Sequence, residues 1–294
     1  MSENVTVAVS TPVSTAVSTA PVSTAPPGAV EVLGRISAAL DDLPAHRPVA
    51  AKVIATADDD RSDARSLGQT LSCDPALVAK VLRLANSAYF GLSGRVSAPA
   101  FAVTVVGFAT VRSLAVAAMA GLEDVPEALA DFWDRSVLTA VAAAEFAPRL
   151  GAEAPDAFSV GLLARLGQAL LVRCDPVEYP AMIAGSADRE ELLAAESRRY
   201  GAHHTRVSAE ALAAWSFPDE LAEALAQVDR PGWATPLATA VRLGVELSER
   251  ILDPTRRPAP AEQLSAGHVR DAEVDAVRAA VTRTAAELVQ LLTS

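Results

Sequence analysis

The chain has 294 residues, of which 51% are apolar, 21% charged and 4% aromatic, and it carries a formal net charge of −11. Such a composition supports a sizeable buried core and excludes a disordered chain. The acidic balance speaks against a general polyanion binder, whose phosphate contacts rest on clustered Lys and Arg. Alanine is about a fifth of the residues, and a core of Ala, Leu and Val with few rings suits closely packed helices better than a sheet.

Residues 1–29 differ from the rest. Val-Ser-Thr-Ala occurs at 13–16, 17–20 and 22–25, Pro26-Pro27-Gly28 follows, and Glu3 is the only charge. Ser, Thr and Pro at this density cannot bury a core, so a disordered tail is expected. A signal peptide is not expected, because a basic leader and a continuous apolar run are both lacking. Cys73 and Cys174 stand too far apart for metal or redox spacing, which suits a reducing compartment. The most apolar stretch, Ala100 to Leu122, is broken by Arg112 and reads as core rather than a bilayer span. A cytoplasmic protein with no membrane association follows as the expectation.

From Val30 onward the punctuation is helical. Asp74-Pro75 reads as an N-cap with Pro in the first helical position. Behind it, Leu77, Val78, Val81, Leu82, Ala85, Ala88 and Tyr89 share one face, and Gly91 is expected to stop the run. Leu162, Leu163, Leu166, Ala169 and Leu170 form another stripe. Leu192 and Leu193 lie in a helix ending near Gly201, Val207 to Trp215 form the next, and Pro218 restarts a helix carrying Leu221, Leu225 and Val228. No alternating strand pattern with hairpin signals appears. The Pro-rich loop from Asp253 to Pro260 reads as a linker to a last helix over Asp271 to Leu292. That helix has Val274, Val277, Val281, Thr284, Leu288 and Leu291 at coiled-coil spacing. Docking on its own domain is the preferred reading, with a homodimer seam as the alternative. The fold class is all-α, divided into a tail (1–29), a main domain (30–252) and a linker with the C-terminal helix (253–294).

Several of these segments, in this order, resemble the HDOD domain, a helical bacterial signalling module related to HD phosphohydrolases. The opening match is Leu43-Pro44, Leu67, Asp74-Pro75-Ala76-Leu77 and Leu82-Arg83-Leu84-Ala85-Asn86-Ser87-Ala88-Tyr89. Ala102-Val103, Val106-Gly107 and Val111-Arg112 continue it. Phe132-Trp133-Asp134-Arg135-Ser136 is similar to the family's Trp-x-His-Ser element with one change. Gly161-Leu162-Leu163-Ala164-Arg165-Leu166-Gly167 is similar to Gly-Leu-Leu-His-Asp-Ile-Gly with two. Glu196, Tyr200-Gly201, His204, Trp215 and Pro218 match the closing run. The resemblance covers about residues 35 to 250. It implies an N-terminal helical lobe, a C-terminal lobe derived from an HD bundle, and a regulatory role without catalysis.

An HD phosphohydrolase holds divalent metal with His, a His-Asp pair and a distant Asp, because imidazole and carboxylate supply lone pairs that guanidinium cannot. On the resemblance, those positions here hold Arg135, then Ala164-Arg165, and Val228-Asp229 where the family often has His-His. No catalytic residue, metal or cofactor is therefore expected. Arg135 and Arg165 are expected to reach solvent or pair with carboxylates such as Asp131 or Asp134. The alternative is that they hold an anion, making the chain a sensor of an anionic nucleotide. Residual metal-dependent hydrolysis ranks below both.

His204 is expected at a helix start, bonded to backbone or to Glu196, and its proximity to Ser208 is a weak hint of a nucleophile. Asn86-Ser87 reads as a structural latch between the two lobes, against a ligand contact. Trp133 and Trp215 read as core anchors. With no output domain in the sequence, the expected partners are other signalling proteins. Nucleic acid is disfavoured by the charge and by the lack of a basic recognition helix.

Overall fold

The computed structural model describes residues 34–293 apart from 35, 37, 39, 41, 44, 92–93, 123–125, 216 and 231–233. The Val-Ser-Thr-Ala tail lies outside the described residues. Helical residues between 34 and 46 precede α1 (Pro48–Asp58), α2 (Ala64–Leu71) and α3 (Pro75–Ala85). Then come α4 (Pro99–Val106) and α5 (Phe108–Met119), which complete a first lobe. The second lobe is built on α6 (Phe132–Leu150), α7 (Ala154–Leu163), α8 (Leu166–Cys174), α9 (Glu178–Gly185), α10 (Arg189–Tyr200) and α11 (His204–Ala214). It continues with α12 (Asp219–Gln227), α13 (Pro236–Leu252), the short α14 (Ala261–Leu264) and the long α15 (Asp271–Thr293). Among the described residues there is no strand, so the all-α expectation holds.

The caps explain where the first helices begin and end. Asp74 accepts from Leu77 N at 3.0 Å and Pro75 opens α3. The helix stops at Ala85, well before Gly91, because the Asn86 amide takes over the chain. Its Nδ2 donates to Leu82 O at 2.9 Å and to Val96 O at 2.7 Å, while its Oδ1 accepts from Val96 N at 2.9 Å. Ser87 Oγ donates to Leu84 O. The Asn86 latch is thus internal to the first lobe and does not join the two lobes as expected. Gly91, at φ +73°, ends the short 3-10 turn Ala88–Phe90 instead. Gly107, at φ +83°, separates α4 from α5, whose axes differ by 107°.

Small residues let the central helices of the second lobe approach closely. Ala140, Ala142, Ala143 and Ala147 of α6 are buried. A Cβ on Gly161 of α7 would stand 2.8 Å from Ala140 Cα, and one on Gly244 of α13 would stand 2.5 Å from Thr139 O. The stripe expected over Leu162 to Leu170 is split between α7 and α8, which break at Ala164-Arg165. Ala154–Cys174 is apolar enough for a membrane span by composition, but 94% of its most apolar window is buried in the fold, as in a core helix. Trp215 is buried and its Nε1 donates to Leu40 O at 3.1 Å. Trp133 is half-buried and donates to Leu122 O at 3.1 Å.

Helix α15 docks on α6 and α3 of its own chain. Val274, Val281, Ala285, Leu288 and Leu292 are buried, whereas Val277, Thr284 and Leu291 of the expected seam are half-buried. Its far end reaches the first lobe, where Ala88 N donates to Glu287 Oε1 and Arg83 Nε to Leu291 O. The loop 253–260 is tied to α13. Glu246 accepts from Arg250 Nε, Arg256 Nη1 and Ala259 N, and Arg250 also pairs with Asp271.

Candidate functional site

Arg135 and Arg165, two of the positions singled out by the resemblance, come together in the second lobe and are held there by ion pairs. Arg135 lies in the first turn of α6, and Arg165 caps α8 at the break after α7. Both reach Glu249 of α13. Arg135 Nη1 donates to Glu249 Oε2 at 2.7 Å, and Arg165 Nη2 donates to Glu249 Oε1. Arg135 also pairs with Asp131 one turn earlier, and Arg165 Nη1 donates to Gln168 Oε1 at 3.4 Å. The expected pairing with Asp131 is present, and the second partner is Glu249 rather than Asp134. Arg165 does not reach solvent, since the residue is 4% exposed. Burial alone would raise the Glu249 pKa, but Arg165 and Arg135 outweigh it and hold the carboxyl at about 2.

A second set lies beside the first. Asp229, just past α12, accepts from Arg189 Nη2 at 2.9 Å and from Thr205 Oγ1 at 2.6 Å. Burial opposes its ionisation, yet Arg189 and its other donors keep it well below the usual carboxylate range. Arg189 Nη1 lies 3.3 Å from His204 Nε2. His204, the first residue of α11, is fully buried and its Nδ1 lies 2.9 Å from both oxygens of Glu196. Glu196 also accepts from His204 N at 2.9 Å and from Tyr179 OH at 2.6 Å. The predicted Glu196–His204 pair is therefore in place. Neighbouring His203 caps α11 and points elsewhere, 4.0 Å from Asp229.

The other predicted positions have structural surroundings. Ser208 Oγ donates to His204 O and Ala164 O and accepts from Gly167 N at 2.7 Å, so it fastens α8 to α11 rather than facing a substrate. Gly167 has no room for a Cβ, which would fall 2.0 Å from His204 O. Ala164, Val228 and Ser136 are buried, Gly201 ends α10 at φ +74°, and Pro218 caps α12.

Sequence reading missed Glu249, Arg189, Thr205 and Tyr179. No local signal marked Glu249, which shares the run from Val241 to Leu252 with Arg242, Glu246 and Arg250. Arg135, Arg165, Arg189 and Glu249 border a cleft of about 200 Å³ whose rim carries Asp131, Asp188 and Asp253. Chemically the arrangement cross-links helices. Guanidinium groups offer no lone pair to a cation and repel one, so the residues present do not fit a divalent metal. Among the described residues, no three His, Cys, Asp or Glu side chains gather where they could hold an ion.

Two helical lobes of this kind define an HD-related, all-α type of domain. The HDOD domain family matches residues 43–231, and the chain belongs to that family. No curated protein matches. Among solved structures, one described as "Putative phosphohydrolase" from Shewanella amazonensis superposes with a TM-score of 0.70 at 24% identity, covering 90% of this chain and 98% of that one. A "Putative signal transduction protein" from Marinobacter aquaeolei gives 0.67 at 19% identity, over 91% of this chain and 67% of that one. An HDOD domain protein of unknown function from Geobacter sulfurreducens gives 0.61 at 17%, over 88% and 99%. At these identities the likeness is one of fold.

Proposed function

We propose that this chain is a non-enzymatic, cytoplasmic signal-transduction module that acts through contacts with other proteins. One observation supports the reading. The two guanidinium groups of Arg135 and Arg165, which with Ala164 stand where the resemblance to HD phosphohydrolases would put cation ligands, are closed on Glu249. The same closure disfavours an anion sensor at this spot, because Glu249 already supplies the negative charge that an incoming phosphate would bring.

The test is a hydrolysis assay on the full chain with a generic phosphodiester and with nucleotides, each supplemented with Mg, Mn, Fe or Zn. The expected result is turnover no greater than that of buffer with the same metal. Turnover that tracks the protein through purification and disappears with a chelator would sink the proposal. Crosslinking in the native host should recover a defined partner in stoichiometric amount, and repeated failure to do so counts equally against it.

A further inference from the structure

His204 is gripped by two residues of a single helix. Arg189 and Glu196 lie two turns apart on one face of α10. The buried imidazole fits between them, with Nδ1 2.9 Å from both Glu196 oxygens and Nε2 3.3 Å from Arg189 Nη1. A guanidinium N–H only donates, and a carboxylate only accepts. Nε2 must therefore offer its lone pair to Arg189, while the ring proton sits on Nδ1 and faces Glu196. These contacts select the neutral Nδ1–H tautomer of His204.

The surrounding charges agree with an uncharged ring. Around it stand Arg189 and Glu196 of α10, Arg165 at the start of α8, Asp229 past α12, Glu249 of α13 and, beyond Glu249, Arg135 of α6. Tyr179 of α9 donates to Glu196, and His203 lies next in the chain. Three guanidinium groups (Arg135, Arg165, Arg189) thus meet three carboxylates (Glu196, Asp229, Glu249), and the cluster is balanced without a charge on His204. Asp131 joins Arg135 from the exposed rim.

A second ring proton has only Nε2 to go to, where Arg189 already points its own N–H. Glu196 favours that proton, whereas Arg189 opposes it as a like charge and a competing donor. We propose that His204 is a proton-operated catch on Arg189, which makes this domain responsive to mild acid. With the ring neutral, Arg189 Nη1 is held at Nε2. With the ring protonated, the imidazolium keeps Glu196 and releases Nη1. Arg189 is not cut loose, because its Nε and Nη2 remain on Asp229 at 3.2 and 2.9 Å. After Asp229, the carboxylate that acts most strongly on it is Glu249, so Nη1 turns that way. Arg189 borders both the cleft of about 200 Å³ beside Glu249 and a second of about 330 Å³, and its movement reshapes the wall they share. The inference goes beyond the protein-contact reading, and its test involves no partner.

Side-chain nitrogen resonances of the isotopically labelled full chain decide it. Above neutral pH, Nε2 of His204 should be the bare ring nitrogen, and a proton found there would overturn the proposal. On titration from about pH 8 to about pH 5, the Arg189 Nε signal should move with the same midpoint as His204. Despite burial, the donors around Glu196, Asp229 and Glu249 hold all three below the usual carboxylate range, so they stay charged across this window. An Arg189 signal that ignores the titration of His204 would sink the idea, as would a ring that takes up no proton before the fold is lost. His204→Gln should abolish the pH response of Arg189, whereas His203→Gln should keep it, and the reverse pattern would assign the response to His203. Should His204→Gln fail to fold, the wild-type spectra and His203→Gln still decide.

Discussion

Replacing Glu249 by Gln keeps the volume of the side chain and removes the charge on which Arg135 and Arg165 converge. The magnitude follows from the carboxyl, which the two guanidinium groups pull down from its ordinary 4.5 to about 2. A depression of that size corresponds to about 3 kcal/mol of stability at neutral pH. It lies at the lower edge of the range of about 3–5 kcal/mol for breaking a buried ion pair. The sign is that of a depressed carboxyl. The contribution is complete above the unfolded value and is lost as pH falls through the folded one, so its window runs from 4.5 down to about 2. Urea unfolding followed by circular dichroism at neutral pH should therefore show Glu249→Gln about 3 kcal/mol less stable than wild type, and the gap should narrow steadily in acid. In a thermal melt the same loss is a drop of roughly 6–12 °C for a domain of this size. A gap under about 1 kcal/mol, or one that stays constant into acid, would refute the assignment of Glu249 as the keystone of the two arginines. Converting the cluster to apolar residues (Arg135→Met, Arg165→Met, Glu249→Leu) should recover most of the stability, because desolvation of all three charges is then avoided.

Two further substitutions probe the scaffold. Gly167→Ala places a methyl 2.0 Å from His204 O, a backbone atom, and should cost more than about 4 kcal/mol. The readout is soluble yield and cooperativity of melting, and a variant that melts like wild type would mean that α8 and α11 are not so closely apposed. Asn86→Ala removes the bonds to Leu82 O, Val96 O and Val96 N and should cost about 2–4 kcal/mol. Amide exchange at Val96 should accelerate accordingly, and unchanged protection there would rule out the latch.

What could be read from the sequence was local. The Asp74-Pro75 start of α3, the Gly201 stop of α10 and the pairing of His204 with Glu196 each depend on residues within about one helix of one another. Asp131 lies one turn from Arg135, so that pair was legible too. Glu249 was not, because it is separated from Arg135 by 114 positions and from Arg165 by 84. Nothing in its neighbourhood distinguishes it from Glu246, which faces the loop 253–260 instead. The Asn86 latch failed for a related reason. The residue type announced a hydrogen-bonded helix end, but its partner, Val96, lies across a loop whose path is set by tertiary packing. The split between α7 and α8 was hidden by apolar residues that are buried on every side, which leaves no amphipathic stripe to mark a break.

The close approach of α13 to α6 at Gly244 bears on where this protein can be cut. The stretch that defines the family stops at residue 231, before α13 begins. A fragment trimmed to that limit would lose the helix that seats against the Thr139 carbonyl and would leave Arg165 stranded in the interior without its counter-ion. The recognisable unit is therefore smaller than the unit that folds, and expression boundaries drawn from sequence matching would sever the molecule through its own core.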